Sequence, residues 1–315
     1  MEEKNITGND GVLSAIVIIA NYASLYGRNC SIAFVISESH NDNIMRSLLL
    51  FFLLTFLISW SLFIVAAVIS PDTNSADSPF STLGYILYLI GVFAPAIVAI
   101  FLSWREKGKK AVGALLAKIL KAPNDLRWYV FAVGYLVTIK LLAAVIHRII
   151  MGQWPLFGHE SFFIIIVAII FTTPTQAGEE IGWRGFALPR LADRFGLRIA
   201  SVIVGVIWAA WHLPFFFFQN VDKSGQSFPV YLLSVTAMSV AMAWLYWRTN
   251  SSLLMTVLMH AAINNTTGIV PSAVADATNP FSLNASFVAW TTTVIMCIVA
   301  LYFLNQMRSA RLESV

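Results

Sequence analysis

Only 11% of the 315 residues are charged and 58% are apolar, with a mean hydropathy of +0.75. Soluble domains carry roughly 25% charged residues, so a water-soluble fold is excluded and an all-α polytopic membrane protein is expected. The net charge of +4 and pI near 9.1 would suit nucleic acid, but the lysines and arginines collect in alternate loops between apolar runs, a topology signal that removes nucleic acid from the partners.

In chain order, the N-terminus Met1-Glu2-Glu3-Lys4-Asn5 is too polar and acidic for a signal peptide. Apolar segments at 11–24 and 30–37 each fall short of the roughly 20 residues that a spanning helix needs. Residues 1–45 therefore read as an N-terminal extension, peripheral or poorly ordered, and Met45-Arg46 offers an alternative start. Residues 46–315 form the membrane domain, with eight spans predicted near 47–69, 82–103, 128–150, 163–189, 199–219, 228–247, 251–270 and 285–305. Cys30 and Cys297 lie far apart and offer neither a disulfide framework nor a CxxC metal site.

Charge sets the orientation. Arg105, Lys107, Lys109, Lys110, Lys118, Lys121 and Arg127 follow the second span, Arg184, Arg190, Arg194 and Arg198 follow Glu180, Arg248 follows the sixth span, and Arg308 and Arg311 follow the eighth. The opposite loops, 71–81, 152–160, 220–227 and 271–284, hold one lysine or arginine between them, Lys223, and Arg148 at the outer end of the third span is a mild exception. This asymmetry implies cytoplasmic termini for an integral protein of the cell (inner) membrane. Residues 111–121 read as an amphipathic helix lying on the inner surface as an anchor. Pro95, Pro174 and Pro214 fall inside predicted spans, where each frees a backbone carbonyl. Pro214, two residues after His212, is expected to open the helix beside that histidine.

The stretch Gly178-Glu179-Glu180-Ile181-Gly182-Trp183-Arg184 closes an apolar run from Ser161 to Pro174. Ionisable groups at such a place are functional suspects. On a helix Glu180 and Arg184 are i and i+4 and pair on one face, whereas Glu179 is rotated about 100° away and gains no such partner. Glu179 is therefore the candidate general base, with Glu180 and Arg184 as structural support. A solvated charge cluster at the interface is the bland alternative.

Two later spans carry one histidine each. His212 follows Trp208 and Trp211, and His260 shares a helix face with Asn264. Counting rise per residue, Glu179 lies roughly 15 Å, His260 roughly 14 Å and His212 roughly 20 Å from the cytoplasmic edge. Polar groups at comparable depth on three helices suggest one centre inside the bilayer. Two chemistries fit it. Glu179, His212 and His260 match the three-ligand complement of a hydrolytic zinc (or other divalent metal) site. Without a metal, Glu179 and a histidine would activate water while His260 and Asn264 stabilise an oxyanion. Both end in amide hydrolysis. No His-Glu-x-x-His is present, and no serine or cysteine is marked by spacing to a histidine.

Taken together, Glu179-Glu180-x-x-x-Arg184, Trp208-x-x-x-His212 and His260-x-x-x-Asn264, in this order over residues 160–270, resemble the CPBP family of CAAX prenyl endopeptidases and bacteriocin-processing (Abi) intramembrane proteases. Trp208 stands where the family pattern often has phenylalanine. The resemblance implies that Glu179 activates water with His212, and that His260 and Asn264 complete the site as metal ligands or oxyanion donors. The implied substrate is the C-terminal tail of a lipidated protein or a membrane-associated peptide, met in membrane lipid. The rival reading is a non-catalytic scaffold or immunity protein that binds a peptide or partner; a transporter with a proton relay is a third, weakened by the lack of a visible inverted repeat.

Other marked residues have plainer readings. Phe215–Phe218 are expected to be lipid-facing bulk, with a lipid-tail groove as the alternative. His147, Arg148, Trp244 and Trp247 suit span ends. Lys140 is either a counter-charge for the site or a snorkelling lysine, and Asn265 would share the role of Asn264 only from a different direction on the helix.

Overall fold

A computed structural model describes residues 29–70, 80–218, 227–272, 279–283, 285–310 and 312, with side chains described from residue 43 onward. Segment 11–24, Cys30's side chain, Lys223, Arg311 and most of the loops 71–81 and 220–227 lie outside the described residues. The chain divides into two compact units, Met1–Leu49 and Leu50–Val315. The second holds all the motif residues.

The described residues are helical, without a strand. In chain order the helices are α1 (Asn29–Val68), α2 (Thr82–Ala117), α3 (Arg127–Met151), α4 (Phe162–Glu180), α5 (Leu188–Trp211), α6 (Phe228–Arg248), α7 (Leu253–Thr266) and α8 (Phe287–Gln306). A π-helical stretch, Ile181–Ala187, joins α4 to α5. Serine starts several helices. Ser81, Ser161, Ser252 and Ser286 each accept a hydrogen bond from the backbone N–H three residues on, satisfying a donor that the first turn leaves orphaned.

Six helical runs among the described residues are long and apolar enough to cross a bilayer: Asn43–Val68, Thr82–Leu120, Arg127–Met151, Phe162–Trp211, Phe228–Arg248 and Phe287–Gln306. Eight spans are predicted from sequence, and two physical features account for the difference. The run of 50 residues from Phe162 to Trp211 holds both the fourth and fifth predicted spans, bent at Gly196, whose φ of 76° only glycine adopts cheaply. The seventh predicted span is a 14-residue helix, α7, roughly 21 Å long against a hydrocarbon core of about 30 Å. Being packed by α3, α4 and α6, α7 need not face lipid along a full span.

Gly108, with φ 69°, turns the chain in the same way at the end of the second span. The amphipathic segment predicted after it is helical to Leu120 and docks on the bundle: Lys118 Nζ donates to Tyr246 Oη at 3.2 Å, and Lys121 Nζ donates to the Asn250 carbonyl at 3.2 Å.

α2 packs on α4 and on the π-helical stretch, α4 and α3 on α7, α5 on α6, and α6 and α3 on α8. Hydrophobic burial against apolar lipid drives little association, so small residues and close backbone approach carry the packing. Gly178 and Gly182 do this at the junction that matters most. A Cβ on Gly182 would sit 2.5 Å from Pro95 Cβ and 2.8 Å from the Pro95 carbonyl carbon, and one on Gly178 would sit 2.9 Å from Phe93 Cγ. The outward face stays apolar: Ile149, Phe163 and Phe171 are about three-quarters exposed, the surface expected where lipid is the solvent.

Candidate active site

The two glycines press the end of α4 against α2, and the chain then widens. In the π-helical stretch the Leu188 N–H bonds to the Trp183 carbonyl, five residues back. Such wide turns recur at functional sites. Just before it, Glu179 and Glu180 both face protein, and both are buried.

They have different partners. Glu180 Oε1 accepts from Arg184 Nη1 at 2.7 Å and meets His260 Nδ1 at 3.0 Å. Glu180 and Arg184 have no solvent-exposed side-chain surface. Arg184 also lays its guanidinium 4.2 Å from the ring centre of Trp208, a cation–π contact that suits a desolvated arginine. The predicted Glu180–Arg184 pair is therefore present, but it holds a third member: His260 reaches Glu180, not Glu179.

Glu179 Oε2 instead accepts from the indole Nε1 of Trp208 at 2.7 Å. Its Oε1 has no hydrogen-bond partner among the described residues. His212 stands at the end of α5, where the α-helix stops at Trp211 and Leu213–Phe216 tighten into a 3₁₀ turn around Pro214. His212 Nδ1 lies 2.9 Å from the Trp208 carbonyl. A carbonyl only accepts, so Nδ1 carries the proton, and in the neutral ring Nε2 holds the lone pair. His212 is within electrostatic reach of both Glu179 and His260. Asn264 is solvent-exposed and its Nδ2 donates to Gln176 Oε1 at 3.3 Å.

Glu179, Glu180, Arg184, His212, His260 and Asn264 thus fall in one neighbourhood as two linked sets, Glu180–Arg184–His260 and Glu179–Trp208–His212, with Asn264 one turn beyond His260. The candidate metal set Glu179, His212 and His260 is not assembled: among the described residues no three His, Cys, Asp or Glu side chains are grouped to hold an ion.

Some neighbours of the site are not marked by the sequence motifs. Gln176 precedes Glu180 by four residues, so helical spacing alone would have put it on the acids' face. Tyr88 and Tyr231, each close enough to sense the charge of Glu179, come from α2 and α6 and have no such signal. Other residues move away from the site. Lys140 Nζ donates to the Val270 carbonyl at 3.1 Å and to Ser272 Oγ at 2.5 Å, which makes it a clamp on the chain after α7, not a counter-charge. Asn265 donates to Thr172 Oγ1 at 2.7 Å. Phe215 and Phe216 are not lipid-facing bulk: Phe215 packs on Phe63, Tyr88 and His212, Phe216 on Tyr231 and Phe228, and Phe217 is the exposed member.

The family model for type II CAAX prenyl endopeptidase Rce1-like proteins matches residues 158–266, an interval that contains all six motif residues. The chain is also 26% identical over 226 residues to CAAX prenyl protease 2 of Methanococcus maripaludis, covering 68% of this chain and 82% of that protein. Both similarities support the CPBP family. They support an intramembrane endopeptidase, and the long apolar helices point to an integral membrane protein.

Proposed function

We propose that this protein hydrolyses a peptide bond in the C-terminal tail of a prenylated, CAAX-type protein, using water activated by Glu179 and His212. The observation that carries the reading is the convergence on Trp208. Glu179 accepts from its indole and His212 bonds to its carbonyl, which leaves Glu179 Oε1 and His212 Nε2 as acceptors of this set without a protein hydrogen bond among the described residues. A water between two such acceptors loses its proton to Glu179 as it attacks the scissile carbonyl. Glu179 then gives that proton to the leaving amine, so the water oxygen ends on the new carboxyl group and its proton on the new amine.

The oxyanion falls to His260 and Asn264. With Nδ1–H given to Glu180, His260 donates from Nε2 only as imidazolium, and the Glu180 carboxylate is the counter-ion an imidazolium needs. Asn264 keeps one N–H beyond its bond to Gln176. Donors aimed at developing charge typically contribute roughly 100- to 1000-fold, so this pair carries a large share of the expected rate. No step is routed through a metal.

The proposed setting is the cytoplasmic side of the cell (inner) membrane, with both termini cytoplasmic. Support comes from the basic residues gathered at one end of the bundle. There the π-helical stretch meets the surface helix, a Cβ on Gly185 lying 2.8 Å from Leu115 Cδ1. Glu179 is six residues further along, roughly 9 Å deeper. The rival scaffold reading is separated by one substitution. His260→Gln leaves a scaffold's partner binding intact and abolishes cleavage of a prenylated CAAX-type peptide in lipid; wild-type cleavage by that variant contradicts the proposed reaction.

A further inference from the structure

We infer that Trp208 is the positioning residue of this site, its indole N–H fixing the Glu179 carboxylate and its carbonyl fixing the His212 tautomer. The inference rests on the proposed roles of Glu179 and His212. Trp208 is 2% exposed and touches members of both sets. Its Nε1 is 2.7 Å from Glu179 Oε2, its carbonyl oxygen is 2.9 Å from His212 Nδ1, the Arg184 guanidinium lies 4.2 Å over its ring, and the His260 ring meets it edge-on at 5.1 Å.

A phenylalanine at 208 would keep the ring contacts and the backbone bond to His212. It would lose the N–H. The Glu179 carboxylate would then have no hydrogen bond to protein among the described residues, and its terminal torsion is intrinsically broad. The indole therefore selects one orientation, in which Oε2 is occupied and Oε1 is left for water. Because Trp208 is buried behind Glu179 and carries no exposed polar atom toward a substrate, losing the N–H should lower kcat and leave KM unchanged. A hydrogen bond to a charged group of this kind corresponds to a roughly tenfold or greater change in kcat.

The test pairs kinetics with a spectroscopic signature. Purified protein is labelled with ¹⁵N at the indoles of its 10 tryptophans, and the Trp208 resonance is identified by its loss in W208F. In E179A this resonance should move upfield more than any other, because it loses its acceptor. W208F should show a roughly tenfold lower kcat on a prenylated CAAX-type peptide with KM unchanged. A second variant carries 3-benzothienylalanine at 208, which keeps the shape of the indole and lacks only the N–H. It should match W208F, and it decides the question if W208F fails to fold.

An unmoved Trp208 resonance in E179A overturns the hydrogen bond and the inference with it. Wild-type kcat in the benzothienyl variant reduces Trp208 to packing and also overturns it. A moved resonance together with wild-type cleavage by E179A overturns the proposed reaction itself, and is distinguishable because the hydrogen bond is then seen without its catalytic consequence.

Discussion

Gly182→Ala is the sharpest structural perturbation of the site that leaves every polar residue in place. The added methyl would lie 2.5 Å from Pro95 Cβ and 2.8 Å from the Pro95 carbonyl carbon and oxygen. Ordinary carbon–carbon contact begins near ~3.5 Å, so the end of α4 and α2 must part by roughly 1 Å. Two of the three blocking atoms are backbone, and Pro95 sits inside α2, so no side-chain rotation relieves the clash. Overpacking of this kind costs about 1–3 kcal/mol. Glu179 and Glu180 lie within one turn of Gly182 and move with it. A displacement of roughly 1 Å in a catalytic group costs about 100-fold in rate. The assay is thermal unfolding in detergent alongside cleavage of a prenylated peptide, with Gly134→Ala as control, since a Cβ there meets nothing within 4 Å. Lower stability and a roughly 100-fold loss of activity are expected for Gly182→Ala, and neither for the control. Wild-type stability and activity in Gly182→Ala would refute the claim that this helix contact sets the site.

Further substitutions separate support from chemistry. Arg184→Met leaves the fully buried Glu180 without its 2.7 Å partner and should destabilise by about 3–5 kcal/mol in thermal or denaturant unfolding. The double variant Glu180→Gln with Arg184→Met should recover part of that loss; additive losses would contradict the pairing. Lys140→Met strands the Val270 carbonyl and Ser272 hydroxyl and should cost about 2 kcal/mol of stability with cleavage retained. Loss of cleavage at unchanged stability would instead put Lys140 in the site. Asn264→Ala should lower kcat by about 100-fold in single-turnover cleavage, and an unchanged kcat would remove it from the oxyanion's donors.

The helical membrane class and the grouping of the motif residues are readable from sequence, because apolar runs and i, i+4 spacing are local properties. Pro214 is readable for the same reason, and the helix does end beside His212. Long-range partners are not. Spacing pairs Glu180 with Arg184, yet nothing local says that His260, 80 residues on, shares the same oxygen. The π-helical stretch departs from the 3.6-residue period on which a sequence reading of helix faces depends, and no local residue signal marks it. By sequence Trp208 is one more aromatic in a greasy span; only the position of Glu179 makes its N–H consequential. Counting apolar runs departs from the structure where glycine bends a continuous helix, at Gly196, and where neighbours enclose a short one, at α7.

The central claim is tested most directly by cleavage with purified protein reconstituted in lipid. A pool of prenylated and unmodified peptides is read by mass spectrometry with Glu179→Ala in parallel. The account predicts new fragments from prenylated CAAX-type peptides with the wild-type protein and none with Glu179→Ala at equal fold stability. Fragments produced at equal rates by both proteins would contradict it.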